Sequence, residues 1–227
     1  MTYVMRALDA MIGCVKNGLR RIVWKLSNQR ERGENAPLRP MIYEPDILTS
    51  DLAVVFCGLN PARTAAADGH NFSHPSNRFW QVLHMSGFTA VRLEPRNEMR
   101  LLEYHCGLTA IVRRPTRRAR DVAPKEFRRA RHGFETRMRC LSPRAIAFLG
   151  KYGFLEMMGQ RNVAWGRQEL DFAGAMAWIL PNPSGLNRSF TVDELARRYA
   201  ELRAALNSTA RTGTNNGPSA STSESVS

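Results

Sequence analysis

Two short polar turns carry the residue types that could form a ligand site. The first covers residues 58–62 (Gly-Leu-Asn-Pro-Ala), and the second covers residues 181–188 (Pro-Asn-Pro-Ser-Gly-Leu-Asn-Arg). An asparagine amide can accept a hydrogen bond from water and orient it, and serine and arginine side chains bind phosphate. Each turn alone is also ordinary turn chemistry, since Asn-Pro and Ser-Gly pairs form turns and an asparagine after a strand often caps a helix.

Apolar runs and helical patterns alternate around these turns, which predicts an α/β layer structure with a mostly parallel sheet. The predicted strands are Leu52–Cys57, Gly107–Val112, Ala145–Leu149, Met176–Leu180 and an edge strand near Gln168–Phe172. The predicted helices are Asn77–Ser86, Glu98–Tyr104, Pro124–Cys140, Lys151–Met158 and Val192–Leu206. Both polar turns then follow carboxyl ends of strands, where open α/β sheets bind ligands. If those two strands are neighbours, the turns face one cleft.

The charge of the chain points to a polyanionic partner. Lys and Arg number 33 against 20 Asp and Glu, for a net charge of +13. The sequence contains no apolar stretch of the roughly 18 residues that a membrane span needs, and we expect a cytoplasmic, nucleoid-associated protein with no membrane partner. The four cysteines stand far apart, so we expect neither a metal site nor another cofactor.

Together, and about 120 residues apart, the two turns resemble the two active-site motifs of the mismatch-specific uracil-DNA glycosylases, the bacterial relatives of thymine-DNA glycosylase. The motifs of that family read Gly-Ile-Asn-Pro-Gly and Asn-Pro-Ser-Gly-Leu. The similarity extends over about residues 45–206 and includes the segments 72–80, 106–109, 114–116, 149–151 and 165–166. It implies a three-layer α/β/α fold with a central, mostly parallel sheet of four to five strands. It also implies an enzyme that excises uracil, and thymine or etheno adducts as the family does, from mispairs with guanine in double-stranded DNA. We expect the enzyme to act as a monomer, because the sequence suggests no oligomerisation helix outside residues 1–40.

The resemblance assigns roles in the base pocket. Asn60 would be the catalytic residue that orients a water, because an amide is a poor base and acts by positioning. Phe72 would stack on the flipped base, although a core phenylalanine is the alternative from composition alone. Leu59, Ala65 and Asn182 would line the pocket, with Ala65 leaving room for a thymine methyl group.

A second set of residues would contact the DNA. Leu186 would be pushed into the duplex as a wedge, with Gly185 and Arg188 at the guanine left unpaired; an ordinary exposed leucine is the alternative. Ser184 is either a phosphate ligand or a turn residue, and Lys151 either a phosphate contact or a solvated lysine. A cluster of basic residues predicts a further phosphate-binding stripe, namely Arg113, Arg114, Arg117, Arg118 and Arg120.

Departures from the family pattern also carry predictions. Ala62 replaces the second glycine of the first motif, so a positive φ at this position would be strained. The more active uracil glycosylases carry an aspartate and a histidine where this chain has Asn60 and Asn182, which predicts a slow enzyme. Neither motif contains a lysine, and Schiff-base cleavage of the DNA backbone needs an amine, so we expect a monofunctional glycosylase that leaves an abasic site.

The domain organisation expected from the sequence has three parts. Residues 1–40 would form a basic extension, helical or loosely ordered, residues 41–206 the glycosylase domain, and residues 207–227 a disordered tail rich in Ser, Thr, Asn and Gly. Two other functions compete with a glycosylase. One is a non-catalytic nucleic-acid-binding α/β module, and the other is an enzyme of free nucleosides, for which the positive charge would have no evident use.

Overall fold

A five-stranded sheet forms the centre of the computed structural model, which describes residues 46–212. The strands are β1 (Val54–Gly58), β2 (Cys106–Ala110), β3 (Ala145–Leu149), β4 (Gly166–Arg167) and β5 (Met176–Leu180). Their order across the sheet is β2-β1-β3-β5-β4. All pairs are parallel except β4 with β5, which is antiparallel. The expected mostly parallel sheet is therefore confirmed.

Within residues 46–212, five α-helices flank the sheet, and two 3₁₀ segments accompany them. The helices are α1 (Arg63–Asp68), α2 (Phe79–Met85), α3 (Pro124–Leu141), α4 (Lys151–Met158) and α5 (Val192–Thr212). The 3₁₀ segments are Pro95–Tyr104 and Ala119–Asp121. Within residues 46–212, no helix is both long and apolar enough to cross a membrane.

Alternating strand residues build two cores, one on each face of the sheet. Phe56 and Ala147 point to the face that is covered by α2, the longer 3₁₀ segment and α5. Cys57 and Phe148 point to the opposite face, which α3 and α4 cover. The strands are buried on both sides, as parallel sheets require, and the fold has three layers, α/β/α.

Several element boundaries differ from the prediction. The edge strand lies at Gly166–Arg167 rather than at residues 168–172, because the chain leaves the sheet after Gln168 and turns through Ala173 and Gly174, both at positive φ. The segment expected as a helix at residues 98–104 is a 3₁₀ segment. The final helix continues through Thr212, so residues 207–212, expected to be disordered, are helical. The predicted extension at residues 1–40 lies outside the described residues.

Candidate active site

A cavity of about 400 Å³ opens at the carboxyl ends of the strands, and both polar turns line it. The strands that lead into the turns, β1 and β5, are not neighbours, because β3 lies between them. Both turns still line one cavity, since β3 ends at Leu149, which also lines it, and the chain enters α4 after the single residue Gly150. Nδ2 of Asn182, which follows β5, donates to the carbonyl of Leu149 at the end of the neighbouring strand β3, at 3.2 Å. The first-motif turn (residues 58–62) and the second-motif loop (residues 181–190) thus form opposite walls of one cavity.

Asn60 is held by its amide nitrogen. Nδ2 donates to the carbonyls of Pro61 at 3.1 Å and Arg114 at 3.0 Å, and to Oγ1 of Thr116 at 2.7 Å. The hydroxyl of Thr116 donates its own proton to the Arg118 carbonyl, at 2.7 Å. All three neighbours of Nδ2 therefore act as acceptors, which fixes the orientation of the amide. Oδ1 has no hydrogen-bond partner among residues 46–212 and is available as an acceptor at the cavity.

The geometry excludes the helix-cap interpretation of Asn60. The N-cap residue of α1 is Ala62, and no side chain caps that helix. The backbone of Ala62 has φ −74° and ψ 153°, an ordinary extended conformation, so the expected strain from the missing glycine is not found. Backbone hydrogen bonds hold the turn to the segment after β2: the Val112 N–H donates to the Leu59 carbonyl, and the Thr116 N–H donates to the Pro61 carbonyl.

Phe72 lines the same cavity and lies beside the first-motif turn. A Cβ added to Gly58 would be 3.9 Å from Cζ of Phe72, and the ring centroid lies 4.3 Å from that of Phe79. Phe72 is half-buried and has a φ of 52°, which is costly for an aromatic residue. Its backbone N–H and that of Leu59 have no hydrogen-bond partner within residues 46–212. Both donors are available to a ligand in the cavity.

A buried carboxylate supports the Phe72 backbone. Glu98 is fully buried, and its Oε2 accepts from the backbone N–H of Asn71 at 2.7 Å and from Nδ2 of Asn71 at 2.9 Å. Nδ1 of His70 lies 3.5 Å from the other carboxylate oxygen. Hydrogen bonds are strengthened in a buried site of low dielectric, so Glu98 holds Asn71, the residue just before Phe72, in place.

The second-motif loop is organised by its own side chains. Oδ1 of Asn182 accepts from the Ser184 N–H at 2.9 Å, and Oγ of Ser184 accepts from the Leu186 N–H at 3.3 Å. The hydroxyl of Tyr199 donates to the Pro181 carbonyl at 3.2 Å. Burial raises the pKa of Tyr199, which keeps this donor protonated. Ser184 therefore stabilises the turn, and Asn182 keeps one amide proton free to reach a ligand.

Leu186 stands out at the tip of the loop. Its side chain is 83% exposed, the largest exposure among the large hydrophobic residues of the described chain. Gly185 lies tightly against Ser76, since a Cβ added to Gly185 would be 2.4 Å from Oγ of Ser76. Arg188 is exposed and lies outside the cavity lining. An apolar tip on a loop of fixed shape is suited to insertion into another molecule.

The basic residues that were predicted to contact phosphate differ in their surroundings. Nζ of Lys151 lies 4.7 Å from the ring centroid of Trp165, a cation–π contact, and Lys151 does not line the cavity. Three arginines of the predicted basic stripe form ion pairs: Arg113 with Asp46, Arg114 with Glu126, and Arg118 with Asp121. Arg63, Arg117 and Arg118 line the cavity. The positive charge at the cavity therefore lies with these three residues rather than along the whole stripe.

Three residues of the site were not foreseen from the sequence. Thr116 fixes Asn60, Glu98 fixes the Phe72 loop, and Arg78 donates to carbonyls of the second-motif loop. Thr116 and Arg78 stand within segments that resemble the glycosylase family. Their types alone gave no sign of these roles, because each acts through partners far away in the sequence.

The fold and the cavity define an α/β enzyme whose ligand enters beyond the carboxyl ends of a mostly parallel sheet. A family model, the Uracil DNA glycosylase superfamily, matches residues 45–207. The chain belongs to this superfamily, and it is therefore a DNA glycosylase, a hydrolase of N-glycosidic bonds. A solution NMR structure of a candidate uracil DNA glycosylase from Methanosarcina acetivorans is similar, with 17% identity and a TM-score of 0.47, covering 70% of this chain and 96% of that one.

Proposed function

We propose that this protein is a monofunctional, mismatch-specific glycosylase that excises uracil from mispairs with guanine in double-stranded DNA and acts as a monomer. The observation that carries the proposal is the joining, in one cavity, of a fixed asparagine amide, an aromatic ring and an exposed leucine (Asn60, Phe72 and Leu186). These are the three parts that base excision requires: a water-positioning group, a platform for the extruded base, and a side chain that fills the vacated stack.

In the proposed reaction, the uracil lies against Phe72, and the free N–H groups of Leu59 and Phe72 donate to its carbonyl oxygens. Donors aimed at these oxygens stabilise the negative charge that develops on the departing base. The C1′–N1 bond breaks, the oxygen of a water held by Oδ1 of Asn60 adds to C1′, and one proton of that water passes to the departing base. Because an amide does not remove the proton, the rate depends on positioning and on the quality of the leaving group.

The positions of the other predicted site residues, in and around the cavity, support roles in binding the base and the DNA. Ala65 is 4% exposed and lines the cavity, where its small side chain favours a thymine as a second substrate. Asn182 would donate its free amide proton to the base. Gly185 and Arg188 flank Leu186, so they are placed to contact the guanine that is left behind. Lys151 and Ser184 would contact phosphates through groups that their present contacts leave free.

The test is an assay of excision with labelled duplexes that carry one uracil opposite guanine, one uracil opposite adenine, or one thymine opposite guanine. Abasic sites are revealed by alkali. We expect strand cleavage only after alkali, strongest for uracil opposite guanine. Equal rates opposite guanine and adenine would contradict the mismatch specificity, and cleavage without alkali would contradict the monofunctional reaction.

Two asparagine-to-alanine variants, one inside the cavity and one outside it, test the site. We expect Asn60→Ala to slow single-turnover excision by about 100-fold or more while duplex binding is retained. Asn162→Ala removes an exposed asparagine outside the cavity and should leave the rate unchanged. Full activity in Asn60→Ala would show that the proposed reaction does not take place in this cavity. Duplex binding without excision of any base by the wild-type protein would favour a binding module.

A further inference from the structure

Arg78 connects the two halves of the site through the backbone of the second-motif loop. Its Nη2 donates to the carbonyls of Ser184 at 2.8 Å and Asn187 at 2.7 Å, and its Nη1 donates to the carbonyl of Phe190 at 2.6 Å. The Pro183 carbonyl accepts from Nε at 3.3 Å and from the Arg78 backbone N–H at 3.0 Å. One side chain thus spans the loop from its start to its end.

The four carbonyls bracket Leu186 on both sides. Within residues 46–212 no carboxylate forms an ion pair with Arg78, so its charge is satisfied by loop carbonyls. A partly buried cation needs such partners to offset its desolvation. A planar guanidinium can reach four separated carbonyls at once, whereas the ammonium of a lysine is a single point of donation.

We propose that Arg78 is a positioning residue, which holds the second-motif loop in its inserting conformation before DNA binds. Arg78 does not line the cavity and acts through Leu186. A loop ordered in advance avoids the entropy cost of ordering during insertion. The inference rests on the proposed function for the role of Leu186, but the order of the loop can be measured in the free protein.

The first experiment is amide hydrogen exchange of the free protein, comparing wild type with Arg78→Met and Arg78→Lys. Three amides report on the loop, namely those of Ser184, Asn187 and Ser189, which donate within it. We expect about 10- to 100-fold faster exchange at these amides in both variants, as removal of charged hydrogen bonds predicts, and unchanged exchange in the strands. If Arg78→Met does not fold, Arg78→Lys carries the comparison.

Arg144→Met provides the matched control, because Arg144 also donates to a backbone carbonyl, that of Leu206, away from the cavity. It should leave the exchange of the loop unchanged. Unchanged exchange of the loop in the Arg78 variants would overturn the inference, and so would a general increase across the fold. These outcomes hold whether or not the protein excises uracil.

The second experiment is a double-mutant cycle on binding to a duplex with an abasic site opposite guanine. Arg78→Met and Leu186→Ala should each weaken binding about 10-fold or more, and the double variant should be little weaker than Leu186→Ala alone. Additive losses would mean that Arg78 acts apart from Leu186 and would overturn the inference. Absence of excision by the wild type, with faster exchange in the variants, would defeat the proposed function alone.

Discussion

The amide nitrogen of Asn60 lies 2.7 Å from the hydroxyl oxygen of Thr116, 56 positions further along the chain. Thr116 is 4% exposed; its backbone N–H donates to the Pro61 carbonyl within the first-motif turn, and its carbonyl accepts from the Arg63 N–H directly after the turn. These backbone hydrogen bonds therefore place Asn60, and the hydroxyl sets which face of its amide points at the cavity.

Replacing Thr116 with valine tests this relationship, because it keeps the shape of the side chain and removes the hydroxyl. Loss of a hydrogen bond of about 1–2 kcal/mol should slow single-turnover excision about 5- to 30-fold. The affinity for duplex DNA should not change, since Thr116 acts on the orientation of Asn60. Thr116→Ser retains the hydroxyl and should keep most of the rate; a slow serine variant would contradict this role.

Leu186→Ala should impair excision from duplex DNA and leave the stability of the protein unchanged. The side chain is 83% exposed in the free protein, so little is lost on truncation until the leucine is buried between bases. Burial of a leucine contributes about 1.5–3 kcal/mol, which predicts a loss in rate of about 10- to 150-fold. Leu170, 77% exposed on the β4–β5 connection, is the matched control. Equal effects of Leu186→Ala and Leu170→Ala would show that Leu186 is an ordinary surface residue.

Gly185→Ala should displace the second-motif loop, because the new Cβ would lie 2.6 Å from the backbone oxygen of Ser76 as well as 2.4 Å from its Oγ. Excision should fall about 10-fold or more through the shifted loop. Ser76→Gly should not restore it, since the clash with the backbone remains. Gly133→Ala is the contrasting control: Gly133 lies in α3 with open space around it, so this change should stabilise the protein by about 0.5–1 kcal/mol.

Glu126 predicts a pH dependence of stability. The guanidinium of Arg114 and the Ala123 backbone N–H hold the pKa of this carboxyl at about 2, below its usual 4.5. A lowered pKa in the folded state means that the stabilisation is complete above pH 4.5 and is lost as the pH falls towards 2. Glu126→Gln should therefore lower the unfolding temperature at neutral pH, with a difference that shrinks below pH 4.5.

Thermal unfolding measured from pH 7 to pH 2 checks this prediction. Glu135→Gln removes a carboxylate whose ion pairs within residues 46–212 are with two exposed arginines of the same helix, and it should change the unfolding temperature little. A difference between wild type and Glu126→Gln that stays constant down to pH 2 would contradict the assignment.

The buried strands were the most predictable part of the fold. Both β3 (Ala145–Leu149) and β5 (Met176–Leu180) lie where their apolar runs placed them, because strands covered on both faces need continuous apolar residues. In contrast, α1 was not expected, since its sequence, Arg-Thr-Ala-Ala-Ala-Asp, has no apolar periodicity and buries only Ala65. Such short elements depend on the surrounding fold.

The residues that form the site were more predictable than the hydrogen bonds that orient them. The sequence motifs identified Asn60, Phe72 and Leu186, and all three line the cavity. The motifs could not reveal the donors and acceptors that orient them, because Thr116 and Arg78 meet their partners only after the chain folds. Lys151 is a similar case: its place at a helix start predicts a phosphate contact, whereas the contact of its ammonium group with the ring of Trp165 could not be foreseen from the sequence.

The arrangement of the two walls has a consequence for synthesis of the protein. The wall with Asn60 and Phe72 leaves the ribosome first, and Leu186 follows more than a hundred residues later. The second wall also needs α5, whose Tyr199 holds the Pro181 carbonyl. A nascent chain therefore contains the residues of the wall with Asn60 and Phe72 well before it contains Leu186. If Leu186 opens the duplex as proposed, newly made protein gains access to DNA bases only when nearly the whole domain has been translated.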